Sequence, residues 1–449
     1  MFIASILFIG FVSINLIYFT FLFVVLNFFL GIGLQALFEG EYRKRFFWFA
    51  IFLNVGTLSF FKYINFFFEN INVLLSIVPN QPAIPYLNLI LPIGISYYTF
   101  QAIGYIIRIN RGVEKAERNF GIFATYLIFF PKFLSGPVER SNHFFPQLHA
   151  PAKFNNDIVT EGLRLVLWGL FKKVVIANNL VGPVVLVYND VENYSGVPLI
   201  IVMFLQTIHL YCDFSGYTDM ALGSAKLFGI DLAQNFNRPF FAKNVGELWR
   251  RWHMSLSSWC NDFIFTPFIV KYRKMGNKAA IIGIFLTFFI IGIWHGANWT
   301  FVVLGILQGI AISYEFYTKR KRLQIAAKLN PKFVVVASRI LTFIFFSFSL
   351  IFFNSHNIHD AWYYVTHMFS GVELKLLGHD FIFEKANFGI AMFSFLSVLL
   401  IDYQKEKGID LRNKIFYKPR IIRWSAYYIV IFLIYYYSGA EETFVYLQF

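Results

Sequence analysis

Polar and apolar positions in this chain fall into blocks. Apolar stretches cover residues 1–38, 46–68, 89–107, 174–188, 197–210, 280–294, 301–314, 333–353, 388–401 and 421–437. A helix needs about 20 apolar residues to cross a hydrocarbon core, and stretches approaching that length recur from one end of the chain to the other. The first is long enough for one tilted span plus a short helix. This pattern predicts an all-α integral membrane protein with roughly ten to twelve hydrophobic helices, some re-entrant or interfacial, in a single polytopic domain. That domain is expected to span residues 1–449.

The polar blocks carry a second signal. Basic loops at residues 43–45, 108–118, 238–251, 271–274, 319–322 and 405–423 alternate with loops poor in Lys and Arg at 69–85, 189–196 and 354–360. Positive charge is retained on the cytoplasmic side, which places the basic set inside and the others, with residues 439–449, outside. The chain is therefore expected in the cell (inner/plasma) membrane as a multi-pass protein. Two stretches resist this scheme. Residues 123–138 contain Pro131, Lys132 and Pro137, and residues 211–259 mix aromatic with polar side chains. Lipid cannot satisfy irregular backbone, so both are expected to be buried in protein or to line a wet cavity.

Composition closes off other classes. Hydrophobic residues make up 57% of the chain and charged ones 14%, with a mean hydropathy of +0.58, which no soluble domain of this length requires. The net charge of +14 sits in short loops between spans and not on a polar basic domain, which excludes a nucleic-acid partner. Cys212 and Cys260 lie in apolar or amphipathic surroundings and read as packing residues. The N-terminal stretch lacks a basic start and a small-residue cleavage site, so the first span is expected to act as its own insertion signal. No internal repeat is visible, and the Gly305, Gly309 spacing permits close helix packing without indicating a function.

Phosphate-binding Gly-rich loops with their lysine, HExxH zinc helices and GxSxG nucleophile turns are missing from the sequence. Polar residues at membrane depth remain, and each is costly enough to be a functional candidate. His295 follows an apolar span directly, in Trp294-His295-Gly296-Ala297-Asn298-Trp299. An imidazole there suits proton removal from a hydroxyl attacking a thioester, with Gly296 letting a ligand approach the backbone. The alternative is a buried histidine bonded to a carbonyl. In residues 248–259, Arg250, Arg251 and His253 alternate with tryptophans. That cluster fits either an interfacial helix with an aromatic belt or a donor site, with Arg250 and Arg251 on phosphates and His253 facing the reaction. Asp213 and Asp219 have no further ligands at metal spacing and are expected to pair with Arg250 or Arg251 and fix a cavity wall.

Taken together, several motifs in order resemble the membrane-bound O-acyltransferases (MBOAT), and within them the bacterial branch that includes the alginate O-acetyltransferase. They are residues 91–101 (LPIGISYYTFQ), 129–137 (FFPKFLSGP), 169–180 and 211–259, then Trp294-His295-Gly296 with Trp299, and the terminal 444–449 (FVYLQF). The resemblance implies helices around a central tunnel, His295 as the catalytic histidine, and His253 at a second polar position where many eukaryotic members carry asparagine. Trp294, Gly296, Trp299, Arg250, Arg251, Asp213 and Asp219 would then line the tunnel or bind donor. It also implies acetyl-coenzyme A (an acyl-CoA) as donor, no permanently bound cofactor and no metal. Membrane lipid, an extracytoplasmic acetyltransferase partner and polysaccharide export machinery would be its neighbours, with an alginate-like or other surface glycan as acceptor.

The chain departs from the family pattern after Trp259. Cys260-Asn261-Asp262-Phe263 and Pro267-Phe268-Ile269-Val270 stand where relatives show Arg-Asp-Tyr and Pro-Leu-Gly-Gly, which leaves loop geometry and acceptor choice open. Two other functions stay in view. One is D-alanyl transfer to teichoic acid from an acyl carrier protein. The other is transport of a polysaccharide or its lipid precursor, with His295 as a proton relay.

Overall fold

The computed structural model describes all residues except 79–80, 152, 372–384, 412–413, 415–416 and 439–449. The motif at 444–449 and the outside placement of 439–449 thus lie outside the described residues. The described residues form helices joined by turns and short extended segments. Eight helical segments are long and apolar enough to cross a membrane: Ile14–Ala36, Glu41–Leu75, Asn156–Asn189, Val197–Leu227, Asn277–His295, Trp299–Ala326, Pro331–Asn354 and Phe388–Glu406. The short helix expected beside the first span is present as Phe2–Val12, and Phe2–Phe11 and Phe120–Lys132 are apolar helical stretches shorter than the eight.

The chain divides into two compact units. The first comprises Met1–Gly162 with Ser224–Ala233 and Gly296–Asn298. Its helices are α1 (Phe2–Val12), α2 (Ile14–Ala36), α3 (Glu41–Leu75), α4 (Ile95–Asn110), α5 (Phe120–Ile128) and α6 (Ser141–His149), and α7 (Asn156–Leu170) begins within it. Polar groups inside this unit find one another. Asn54 on α3 donates to Asn27 on α2 at 2.9 Å, a bond that lipid would not supply. The two motifs at 91–101 and 129–137 pack together here. Tyr97 and Ser135 share a hydrogen bond of 3.0 Å, Tyr98 stacks on Phe133 at 5.9 Å, and buried Lys132 donates to Gln101 Oε1 and to the Tyr126 carbonyl. The irregular stretch 123–138 is thus satisfied by protein, as the hydrocarbon rule requires.

The second unit holds Leu163–Gly223, Gln234–His295 and Trp299–Phe449. α7 passes through a π-helical stretch at Phe171–Ala177 into α8 (Asn178–Asn189), and α9 (Val197–Leu227) follows. Next come three short helices, α10 (Val245–Trp249), α11 (Met254–Cys260) and α12 (Thr266–Lys271). The antiparallel pair α13 (Asn277–His295) and α14 (Trp299–Ala326) leads to α15 (Pro331–Ser349), α16 (Ile351–Asn354), α17 (Ile358–His367), α18 (Lys385–Glu406) and α19 (Arg420–Tyr436). Residues 211–227, expected to be irregular, instead complete α9, because lysines on the neighbouring helix compensate its polar side chains.

Glycines set two helix crossings in this unit. Gly216 on α9 meets Gly169 on α7 so closely that a side-chain carbon at Gly216 would lie 2.8 Å from the Gly169 carbonyl oxygen. Gly305 of the noted Gly305, Gly309 pair abuts Gly292 and the Phe288 carbonyl, which draws α14 against α13. Backbone cannot yield at such contacts, so Gly216→Ala is expected to destabilise the protein by about 1–3 kcal/mol. Gly56→Ala, at a helical position open on all sides, should not lower stability. Thermal melting of both variants in detergent checks the contrast.

Candidate active site

His295 is the last residue of α13 and is 7% exposed. Its ring lies 5.1 Å from Trp294, 5.3 Å from Phe353 and 6.3 Å from Phe301. His253 immediately precedes α11 and is fully buried. Its ring lies 4.8 Å from Phe214 on α9 and 5.8 Å from Trp294. Both imidazoles therefore contact the same indole, and their separation cannot exceed the sum of those two indole distances. Phe236, Trp252, Tyr211 and Phe346 continue the aromatic wall behind His253. Burial holds the pKa of His253 at about 3, so this ring is neutral at physiological pH.

The backbone at His253 is unusual. It has φ 44° and ψ 49°, a left-handed conformation that costs a residue with a Cβ about 1–2 kcal/mol. Arg238, at φ 51°, is the other such residue among those described. Strained positions of this kind persist where surrounding bonds over-determine them.

Asp213 and Asp219 do not follow the arginine pairing expected for them. Lys173 Nζ lies 2.5 Å from Asp213 Oδ1, and Lys172 Nζ lies 2.8 Å from both Asp219 Oδ2 and Ser215 Oγ. The helical segment runs unbroken from Asn156 to Asn189, so both lysines sit inside a span facing α9, within reach of its carboxylates. Arg251 is occupied elsewhere. It makes a two-pronged contact with Glu406 at 3.0 and 3.1 Å and reaches Glu247 at 2.7 Å. Arg238 and Arg339 join Glu406 at 3.4 and 3.9 Å.

Among the remaining candidates, Gly296 is buried, while Arg250 is exposed and Trp299 is 52% exposed. Sequence reasoning missed Lys172, Lys173, Glu406 and Asp402, which accepts from Tyr211 at 3.2 Å. It also missed His209, buried one turn before Asp213 within the apolar block at 197–210. Asp402 and Glu406 did leave a trace, as two acids four residues apart at the end of an apolar segment. No group of three His, Cys, Asp or Glu side chains among the described residues gathers as a metal site would.

Residues 117–356 match the model of the membrane-bound O-acyltransferase family. The chain is 31% identical to a probable alginate O-acetylase of Azotobacter vinelandii, over 77% of this chain and 67% of that protein. It is 29% identical to a peptidoglycan O-acetyltransferase of Helicobacter pylori, over 75% and 67%. With a teichoic acid D-alanyltransferase of Bacillus subtilis it shares 29% identity, over 62% and 72%. The chain thus spans about two thirds of the length of the two acetylating relatives.

Removing one partner of a buried ion pair strands the other charge. Lys173→Met is expected to cost about 3–5 kcal/mol of stability, and replacing Lys173 and Asp213 together by apolar residues should restore much of it. Melting curves of the single and double variants in detergent provide the check.

Proposed function

The chain belongs to the membrane-bound O-acyltransferase family and is by that membership a multi-pass membrane acyltransferase; on this premise we propose that it moves acetyl from acetyl-coenzyme A at the cytoplasmic face towards hydroxyls of an exported polysaccharide. The observation that carries the reading is the pair of buried imidazoles set on one tryptophan within an aromatic wall.

In this reading His295 takes the proton of the acceptor hydroxyl as its oxygen attacks the thioester carbonyl. The C–O bond forms, the C–S bond breaks, and the departing thiolate recovers the proton from the imidazolium, so protons and charge balance. His253 is neutral and orients donor or acceptor by hydrogen bonding. Arg251, braced by Glu247 and Glu406, anchors the donor entrance, and exposed Arg250 meets donor phosphates. An extracytoplasmic acetyltransferase partner, associated with the export machinery, completes delivery to the glycan. The same pair of imidazoles would serve D-alanyl transfer, a second reading favoured by the teichoic acid relative and marked by dependence on an acyl carrier protein.

Base-labile acetate on the surface polysaccharide tests the assignment, in cells carrying the intact chain, His295→Ala at equal expression, or neither. Ester acetate should appear with the intact chain and fall about 10²- to 10⁴-fold with His295→Ala. Equal acetylation by both chains would remove His295 from the general-base role, and D-alanine esters in place of acetate would select the second reading.

A further inference from the structure

The left-handed backbone at His253 is held by a segment some twenty residues earlier in the chain. Residues 235–237 lie beside residues 251–255, joined by four hydrogen bonds. The Asn237 amide donates to the Arg251 carbonyl at 2.9 Å, and the Met254 amide donates to the Asn235 carbonyl at 3.0 Å. Asn235 Oδ1 accepts from the Ser255 amide at 3.3 Å and from the Ser255 hydroxyl at 2.6 Å. A backbone N–H can only donate, so the side-chain atom facing Ser255 is the oxygen of the Asn235 amide. Asn235 thus supplies three of the four bonds and is itself fully buried.

These bonds fall on the first two residues of α11, whose amides have no partner within the helix. An N-cap side chain would ordinarily satisfy them, but His253 occupies the N-cap position without making that bond. Asn235 caps the helix from outside, which leaves the imidazole of the N-cap residue to serve the site. The next residue, Phe236, holds the ring side of the same arrangement. It packs at 5.0 Å on Phe214 and 5.1 Å on Trp252, and Phe214 in turn contacts His253.

We propose that Asn235 is a positioning residue for acyl transfer, fixing His253 in its left-handed backbone so that the imidazole is presented next to Trp294. This rests on the reading that His253 takes part in the transfer. Asn235 acts through His253 and touches neither donor nor acceptor.

The test is a double-mutant comparison on the full chain in membrane vesicles from its own cells, prepared with the extracytoplasmic partner and export machinery retained, reading thiol release from acetyl-coenzyme A. Misplacement of a reacting group by about 1 Å costs on the order of 10²-fold, and Asn235→Ala is expected to lower kcat on that scale with donor KM little changed. Asn235→Asp keeps an acceptor oxygen for Ser255 and should recover most of the rate. Ser255→Ala, a milder variant that removes the hydroxyl bond and keeps the amide bond to Asn235, should show a smaller loss. In a His253→Ala background, neither Asn235→Ala nor Ser255→Ala should cost anything further. Losses that multiply in that background, or an Asn235→Asp rate as low as that of Asn235→Ala, overturn the positioning role while leaving His253 in the site. A His253→Ala protein with the parent rate removes His253 from the reaction, and the inference falls with it.

Discussion

Hydrocarbon offers no hydrogen-bond partner and no counter-ion, and the described structure follows from that constraint. Short hydroxyl side chains such as Thr20 and Thr287 bond back to a carbonyl of their own helix, whereas buried charges and amides find partners elsewhere in the protein. Lys172 and Lys173 are those partners for Asp219 and Asp213, Asn27 for Asn54, and Gln101 with the Tyr126 carbonyl for Lys132. The Gly169 and Gly216 contact belongs to the same requirement, because lysines on one helix reach carboxylates on the next only if the backbones come close.

The spans were legible in the sequence because their signal is local. Ile14–Ala36, Asn277–His295 and Pro331–Asn354 each lie over an apolar block. Lys172 and Lys173 were illegible for a related reason. They precede the apolar block at 174–188 and read as its flank, whereas the helix that contains them starts at Asn156. Nothing local in the sequence points from the lysines to acids so far along the chain, and Asp219 and Asp213 pair with them and not with the expected Arg250 or Arg251. Arg251 finds its carboxylate at Glu406, 155 residues along the chain, a distance at which sequence alone carries no pairing information.

The candidate site was legible at a different level. His295 stood out because an ionisable residue ended an apolar span, and His253 because of its place in a block resembling other family members. Their meeting on Trp294 is a fact of three dimensions, since the two residues lie on separate elements. The left-handed backbone at His253 had no signal either. Such positions favour glycine, and a histidine there becomes intelligible only once the Asn235 bonds are seen.

The two imidazoles are therefore held by different devices, and this bears on how the site tolerates change. His295 inherits its place from α13, which is fixed against α14 by Gly292 and Gly305. The residues that follow His253 are bonded to Asn235, and its ring packs on Phe214. Phe214 follows Asp213 directly, and successive helical residues differ by about 100° around the axis. The rotation of α9 that lets Asp213 meet Lys173 is thus the rotation that turns Phe214 onto His253. An ion pair inside the membrane, with no atom in the proposed reaction, in this way sets the wall against which one of the two imidazoles rests.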